Sequence, residues 1–191
     1  MKKLILVFLA AISLSLSSCS YNKLVEMDEA VSAQWSQVEN AYQRRADLIP
    51  NLVSTVKGYA AHEQETLTGV IEARAKATAV NFNANELTPE NIAQFQAAQD
   101  GLSSALSKLM VSVERYPDLK ANQNFLDLQA QLEGTENRIA VERRKFNEAA
   151  QTYNTTIRKF PKNITASMFG FEKRDYFKSQ AGAESAPKVE F

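Results

Sequence analysis

The sequence predicts an all-α protein: an antiparallel up-and-down bundle of four helices, two of them long outer helices, with an N-terminal signal or anchor and a short C-terminal tail. Three observations predict it. Apolar side chains recur at steps of three and four over four long stretches, Pro or Gly falls where most of those stretches stop, and neither a strand period nor a nucleotide-binding Gly-rich loop occurs. At 191 residues with 45% hydrophobic side chains, the chain suits one domain with a sizeable core.

Lys2 and Lys3 precede the apolar run from Leu4 to Ile12, and Ser13 to Cys19 follows in the charged, apolar, small-residue order of a secretory signal. The apolar stretch of about 13 residues falls short of the roughly 20 that span a bilayer, which favours cleavage over a retained spanning helix. Leu16-Ser17-Ser18-Cys19 resembles the bacterial lipobox, which makes Cys19 the expected lipidation residue. One acyl chain holds a protein only marginally, whereas two or three hold it stably. Ser20 rather than Asp follows Cys19, which favours the outer membrane by the sorting rule of enteric bacteria. The chain thus divides into a lipoprotein signal peptide at 1–19, a tether at 20–28, a helical domain at 29–178 and a disordered tail at 179–191.

The first helix shows a seam of Val31, Trp35, Val38, Tyr42, Ile49, Leu52, Val56 and Tyr59, with Arg45 at one polar seam position. Pro50 lies inside it and lacks an N–H, so a kink is expected near Ala46. A shorter amphipathic stretch, His62 to Phe82, carries Leu67, Val70, Ile71, Arg74 and Ala77. After an Asn-rich loop, Thr88 and Pro89 supply an N-cap and a first helical residue. The third seam runs from Ile92 through Phe95, Gln99, Leu102, Leu106, Leu109 and Val113 to Tyr116, and Pro117 stops it. The fourth runs from about Asn122 to Phe160, and Pro161 ends it.

Because the second helix is the shortest, the outer helices overhang at the membrane-proximal end, leaving Trp35, Tyr153 and Phe160 short of cover. The segment from Ile164 to Phe177 is expected to fill that gap. Its Met168, Phe169, Phe171, Tyr176 and Phe177 are alternatively a surface for a partner or for the membrane.

Lysines and arginines number 22 against 22 acidic residues, and losing Lys2 and Lys3 leaves 20 against 22, so no basic field exists to hold nucleic acid. One cysteine and one histidine exclude an intramolecular disulfide and a Cys/His zinc site. No catalytic residue, metal or cofactor is assigned. Arg45 and Glu142, each a polar residue on an apolar seam, are expected at similar levels of antiparallel helices as a structural ion pair; the alternative is that each reaches solvent along its own stem. His62 lacks the His-Glu-x-x-His spacing of a zinc protease, and Glu133, Glu136 and Glu142 lack the Glu-x-x-His motifs of metal-bridging bundles. Arg143-Arg144-Lys145 reads as a wet helix face.

The stretch Gln43-Arg44-Arg45-Ala46-Asp47-Leu48-Ile49-Pro50-Asn51-Leu52-Val53, with Val56-Lys57-Gly58-Tyr59 and His62-Glu63, resembles the signature of the bacterial LemA family. Pro117-Asp118-Leu119-Lys120, Thr135-Glu136-Asn137-Arg138-Ile139, Arg143-Arg144, Tyr153-Asn154, Phe160-Pro161 and Gly170-Phe171 agree in order and spacing. The resemblance implies an extracytoplasmic helical bundle held at the membrane by its N-terminus, in a family without established enzymatic activity. Many members keep a spanning N-terminal helix, so Cys19 marks a departure in anchoring. Arg45, Asp47, Pro50 and Asn51 of the motif surround the expected kink. The expected role is a non-enzymatic, membrane-anchored binding or scaffold module whose partner is an envelope protein, with self-association a third route. The rival is an accessory enzyme or metal-dependent factor of wall or lipid metabolism using the region of Arg45, Asp47 and His62 or the glutamates of the fourth helix.

Overall fold

The computed structural model describes residues 2–60 and 62–178, with side chains from Ser20 onward, Asn85 excepted. The side chain of Cys19 and the tail 179–191 lie outside the described residues. Among those described, the protein is all-α, with no strand. Its helices are α1 (Lys2–Tyr59), α2 (Gln64–Ala79), α3 (Pro89–Val113), α4 (Pro117–Lys120), α5 (Gln123–Arg158) and α6 (Lys162–Phe169), with one 3-10 turn at Ala84–Glu86.

The stretch 20–28, expected as a tether, is instead part of α1. Leu24 is fully buried, and its seven-residue spacing to Val31 continues the seam one heptad earlier than the sequence reading placed it. At about 1.5 Å per residue, the 58 residues of α1 make a rod of about 87 Å. The helix runs unbroken through Pro50. Among the described residues no helix is long and apolar enough to cross a membrane.

Caps set the other boundaries. Thr88 Oγ1 accepts the Asn91 N–H at 3.2 Å with Pro89 behind it, and Asn122 Oδ1 accepts the Phe125 N–H at 3.1 Å. The fourth seam stops sooner than its periodicity suggests, because Lys159 already leaves the helix (φ -83°, ψ 137°) two residues ahead of Pro161. Phe160 consequently leaves the seam and is 81% exposed. Gly170 takes the left-handed conformation (φ 72°), and the Phe171 N–H closes α6 onto the Ala166 carbonyl at 3.0 Å.

Residue pairings give the directions. Trp35 meets Phe146 (ring centroids 5.7 Å apart) and Tyr59 meets Asn122 (2.9 Å), so α1 and α5 run antiparallel. Glu63 meets Tyr116 (2.9 Å) and Ala77 meets Gln99 (3.2 Å), so α2 and α3 do too. The core divides into two clusters along α1. A lower one, around Leu24, Trp35, Tyr42, Phe95, Phe146 and Tyr153, draws on α1, α3, α5, α6 and the C-terminal segment. An upper one, around Ile49, Leu52, Val70, Leu102, Leu109 and Phe125, draws on α1 to α5. Arg45 lies between them in the sequence of α1.

Candidate functional site

Arg45 is 1% exposed, although a guanidinium never sheds its charge in a protein. Its Nη1 donates to Ser103 Oγ at 2.8 Å and to the Glu136 carboxylate, and its Nη2 donates to Gln99 Oε1 at 2.8 Å and to the Gln99 carbonyl at 3.2 Å. The Tyr42 ring lies 5.2 Å from its carbon, and its Nε is buried without a hydrogen-bond partner. Gln99 in turn donates to the Ala77 carbonyl at 3.2 Å. One polar layer therefore ties α1, α2, α3 and α5 together between the two apolar clusters.

The partner of Arg45 is Glu136, not Glu142. The antiparallel register that sets Trp35 against Phe146 brings position 136 to Arg45, while Glu142 lies six residues, about 9 Å, further along α5. Glu142 instead accepts the Gln34 side-chain amide at 2.8 Å and Lys145 at 3.2 Å. The Gln34 hydrogen bond, reinforced by Lys145 and Arg138, holds its carboxyl below the usual 4.5 against the opposing effect of burial.

Pro50 frees the Ala46 carbonyl, which has no N–H to receive from position 50. Arg74 Nε of α2 donates to that carbonyl at 2.8 Å, replacing the lost helical bond. Asp47 and Asn51 are exposed on the outer side; Asp47 accepts the Gln43 amide at 2.7 Å.

The lower core is closed by the extended segment 171–178. Two side-chain amides of α5 read its backbone. Asn154 donates to the Arg174 carbonyl (2.7 Å) and accepts the Arg174 N–H (2.8 Å), and Asn147 does the same for Phe177 (3.0 and 2.9 Å). Arg174 forks onto Asp28 of α1 at 3.0 Å through both Nε and Nη2. Phe177 stacks on Trp35 at 5.8 Å with 16° between the rings. Nearby, burial pushes the Tyr153 hydroxyl up to about 12, with the Asp28 charge adding to the effect.

A family model for the LemA family matches residues 34–191. The chain belongs to the LemA family. Magnetosome protein MamQ 2 of Paramagnetospirillum magneticum is 31% identical, the match covering 86% of this chain and 67% of that protein. MamQ of Magnetospirillum gryphiswaldense is 29% identical with the same coverage. Protein LemA of Metamycoplasma hominis is 26% identical over 76% of this chain and 63% of its own length. None of these is an enzyme's name.

Two of the four motif residues build architecture: Arg45 makes the polar layer, and Pro50 frees the carbonyl that Arg74 caps, while Asp47 and Asn51 face outward. His62 is exposed, and among the described residues no group of three or more His, Cys, Asp or Glu is placed to hold a metal ion. The basic run is used structurally, with Arg143 donating to the Lys178 carbonyl at 2.9 Å and lying over the Phe177 ring, and Lys145 pairing with Glu142. The five aromatic and Met residues expected as one partner surface separate. Phe177 is buried, Phe171 and Tyr176 are half-buried, and Met168 and Phe169 stay exposed. Phe177 is therefore core, because the shorter α2 contributes only to the upper cluster and leaves Trp35 needing cover. Asn147 and Asn154 enter the sequence reading only through the family resemblance, with no role attached, and Arg174 does not enter it at all. Their signal, two Asn spaced seven apart on an apolar seam, becomes legible only when the chain turns back after α6.

Proposed function

We propose that this LemA-family chain is a non-enzymatic binding or scaffold module of the bacterial cell envelope. Acyl chains on Cys19 anchor it in the outer membrane, its four long helices form an up-and-down bundle on the periplasmic side, and it serves an envelope protein as partner. The observation that carries the reading is the fate of Arg45. The buried charged group of the family motif has its Nη donors taken up by Ser103, Gln99 and Glu136, where it ties four helices together and is 1% exposed. Relatives named for the magnetosome and for the family itself, rather than for a reaction, support the same reading. Between α2 and α3 an open groove of about 1020 Å³, floored by Gly69, Ala73, Ala98 and Gly101, gives a partner a broad concave face away from the anchor.

The experiment is intact mass and fractionation of the membrane-extracted native chain beside its Cys19→Ala form, followed by crosslinking in cells. A mass starting at acylated Cys19 and recovery of a defined envelope protein are expected. An unprocessed chain starting near Met1 replaces the lipid anchor with a spanning helix in the inner membrane. Stoichiometric metal in the purified protein, or loss of complementation by His62→Ala, overturns the non-enzymatic reading.

A further inference from the structure

We propose that α6 lies in the bilayer surface, so that the domain rests on anionic phospholipid through a second, non-covalent contact beside its anchor; this rests on the membrane-anchored reading above. Four large apolar side chains crowd one end of the molecule without cover: Phe160 (81% exposed), Ile164 (53%), Met168 (72%) and Phe169 (55%). Ile164 and Met168 are four residues apart on the outer face of α6, opposite Thr165 and Ala166, which are buried. That end is also the anchor's end, because Phe169 packs against Tyr21 with ring centroids 4.8 Å apart.

Since α1 is one continuous helix, Tyr21 stands only about 3 Å of axial rise above Cys19, and about 8 Å above Leu16 where the apolar run stops. Whichever of the two holds the chain to the membrane, α6 is brought to headgroup depth. Its charge suits that place. From Ala149 to Phe171 the chain carries Arg158, Lys159 and Lys162 and no acidic residue, and none of the three has an ion-pair partner among the described residues. Exposed apolar side chains bordered by basic ones form the pattern of an interfacial helix, with the cations reaching phosphate while the apolar groups enter the acyl boundary.

The test uses the full chain with its native anchor in phosphatidylcholine vesicles containing phosphatidylglycerol, some lipids bearing brominated acyl chains. Trp35, about 21 Å further up α1 than Tyr21, is an internal reference expected to be unquenched. Met168→Trp, and independently Ile164→Trp, should add blue-shifted emission that brominated lipid quenches. Lys159→Gln with Lys162→Gln should reduce that quenching in phosphatidylglycerol vesicles. Emission at the water-exposed wavelength without quenching overturns the proposal, as does blue emission without quenching, which would show a protein covering the patch. A chain that fails to float with vesicles overturns the anchor as well, whereas one that floats unquenched overturns only the surface contact.

Discussion

A guanidinium that is 1% exposed must find its counter-charge in the protein, and the Glu136 carboxylate supplies it from a position whose side chain is 47% exposed. The asymmetry decides what each substitution does. Glu136→Gln leaves a buried charge uncompensated, which costs about 3 kcal/mol for a sealed pair and somewhat less here because water reaches the carboxylate. Arg45→Met removes the charge but leaves the buried Gln99 Oε1 without its donor, costing about 1–3 kcal/mol. The expected outcome in chemical denaturation is that the double variant loses less stability than the two single losses added together. Strict additivity would mean that Glu136 does not balance Arg45. Glu142 makes a pH prediction of defined sign. Its folded pKa is lowered below 4.5 chiefly by the Gln34 amide, so its contribution is present above pH 4.5 and is lost as pH falls through the folded value. Gln34→Leu should therefore be destabilised most at neutral pH, and its gap in Tm from the native chain should narrow below pH 4.5. A gap that does not change with pH would place the effect in packing rather than charge.

The pairing of Pro50 with Arg74 explains how α1 carries a proline in its last third and continues to Tyr59. The lost bond is replaced from the neighbouring helix, so the two residues form one device on two elements. Arg74→Ala should cost about 1–2 kcal/mol by leaving the Ala46 carbonyl without a donor. In a Pro50→Ala background, where an N–H is restored at position 50, the same change should cost about 1 kcal/mol less, read as a coupling in urea denaturation. Equal costs in both backgrounds would separate the two residues. This device also shows what the sequence made legible. Proline in a seam announces an orphaned carbonyl four residues back, and Arg74 was already visible on the next helix, but which donor reaches the carbonyl depends on how α1 and α2 pack. The helical seams were readable because apolar periodicity is local. The Arg45 partner was misplaced by six positions because the register between two helices far apart in sequence is set by how Trp35, Phe146 and their neighbours interlock. The stretch 20–28 reads as tether from sequence because it precedes the first clear periodicity; Tyr21, Leu24 and Met27 acquire their role only from α6 and the C-terminal segment packed against them.

Across the whole molecule, the two apolar clusters have different fourth walls. The upper core is closed by α2. The lower core has no α2 beside it and is closed by segment 171–178, part of the stretch from Ile164 to Phe177 that unequal helix lengths mark as filler; Ile164, Met168 and Phe169 of that stretch stay exposed, and the Asn ladder that pins the rest was not foreseen. A wall made of extended chain differs from a helical one, since its backbone bonds are supplied by side chains of α5 and its hold depends on a few plugs. Phe177 is the main plug, in contact with Trp35, Phe95 and Phe146. Truncating a buried Phe to Ala costs about 3–5 kcal/mol, part of it for the cavity left behind. Phe177→Ala should concentrate that loss in the lower half. Hydrogen exchange should quicken in the α1 segment around Trp35 and in α5 around Tyr153, with the Trp35 emission moving to longer wavelength, while amides near Leu52 and Leu109 keep their protection. The polar layer at Arg45 is the boundary that permits this partition, because it joins the halves through hydrogen bonds and one ion pair rather than through continuous apolar packing. If exchange quickened equally in both halves, the two cores would open as a single unit, and the Arg45 layer would act as a rivet between them rather than a seam.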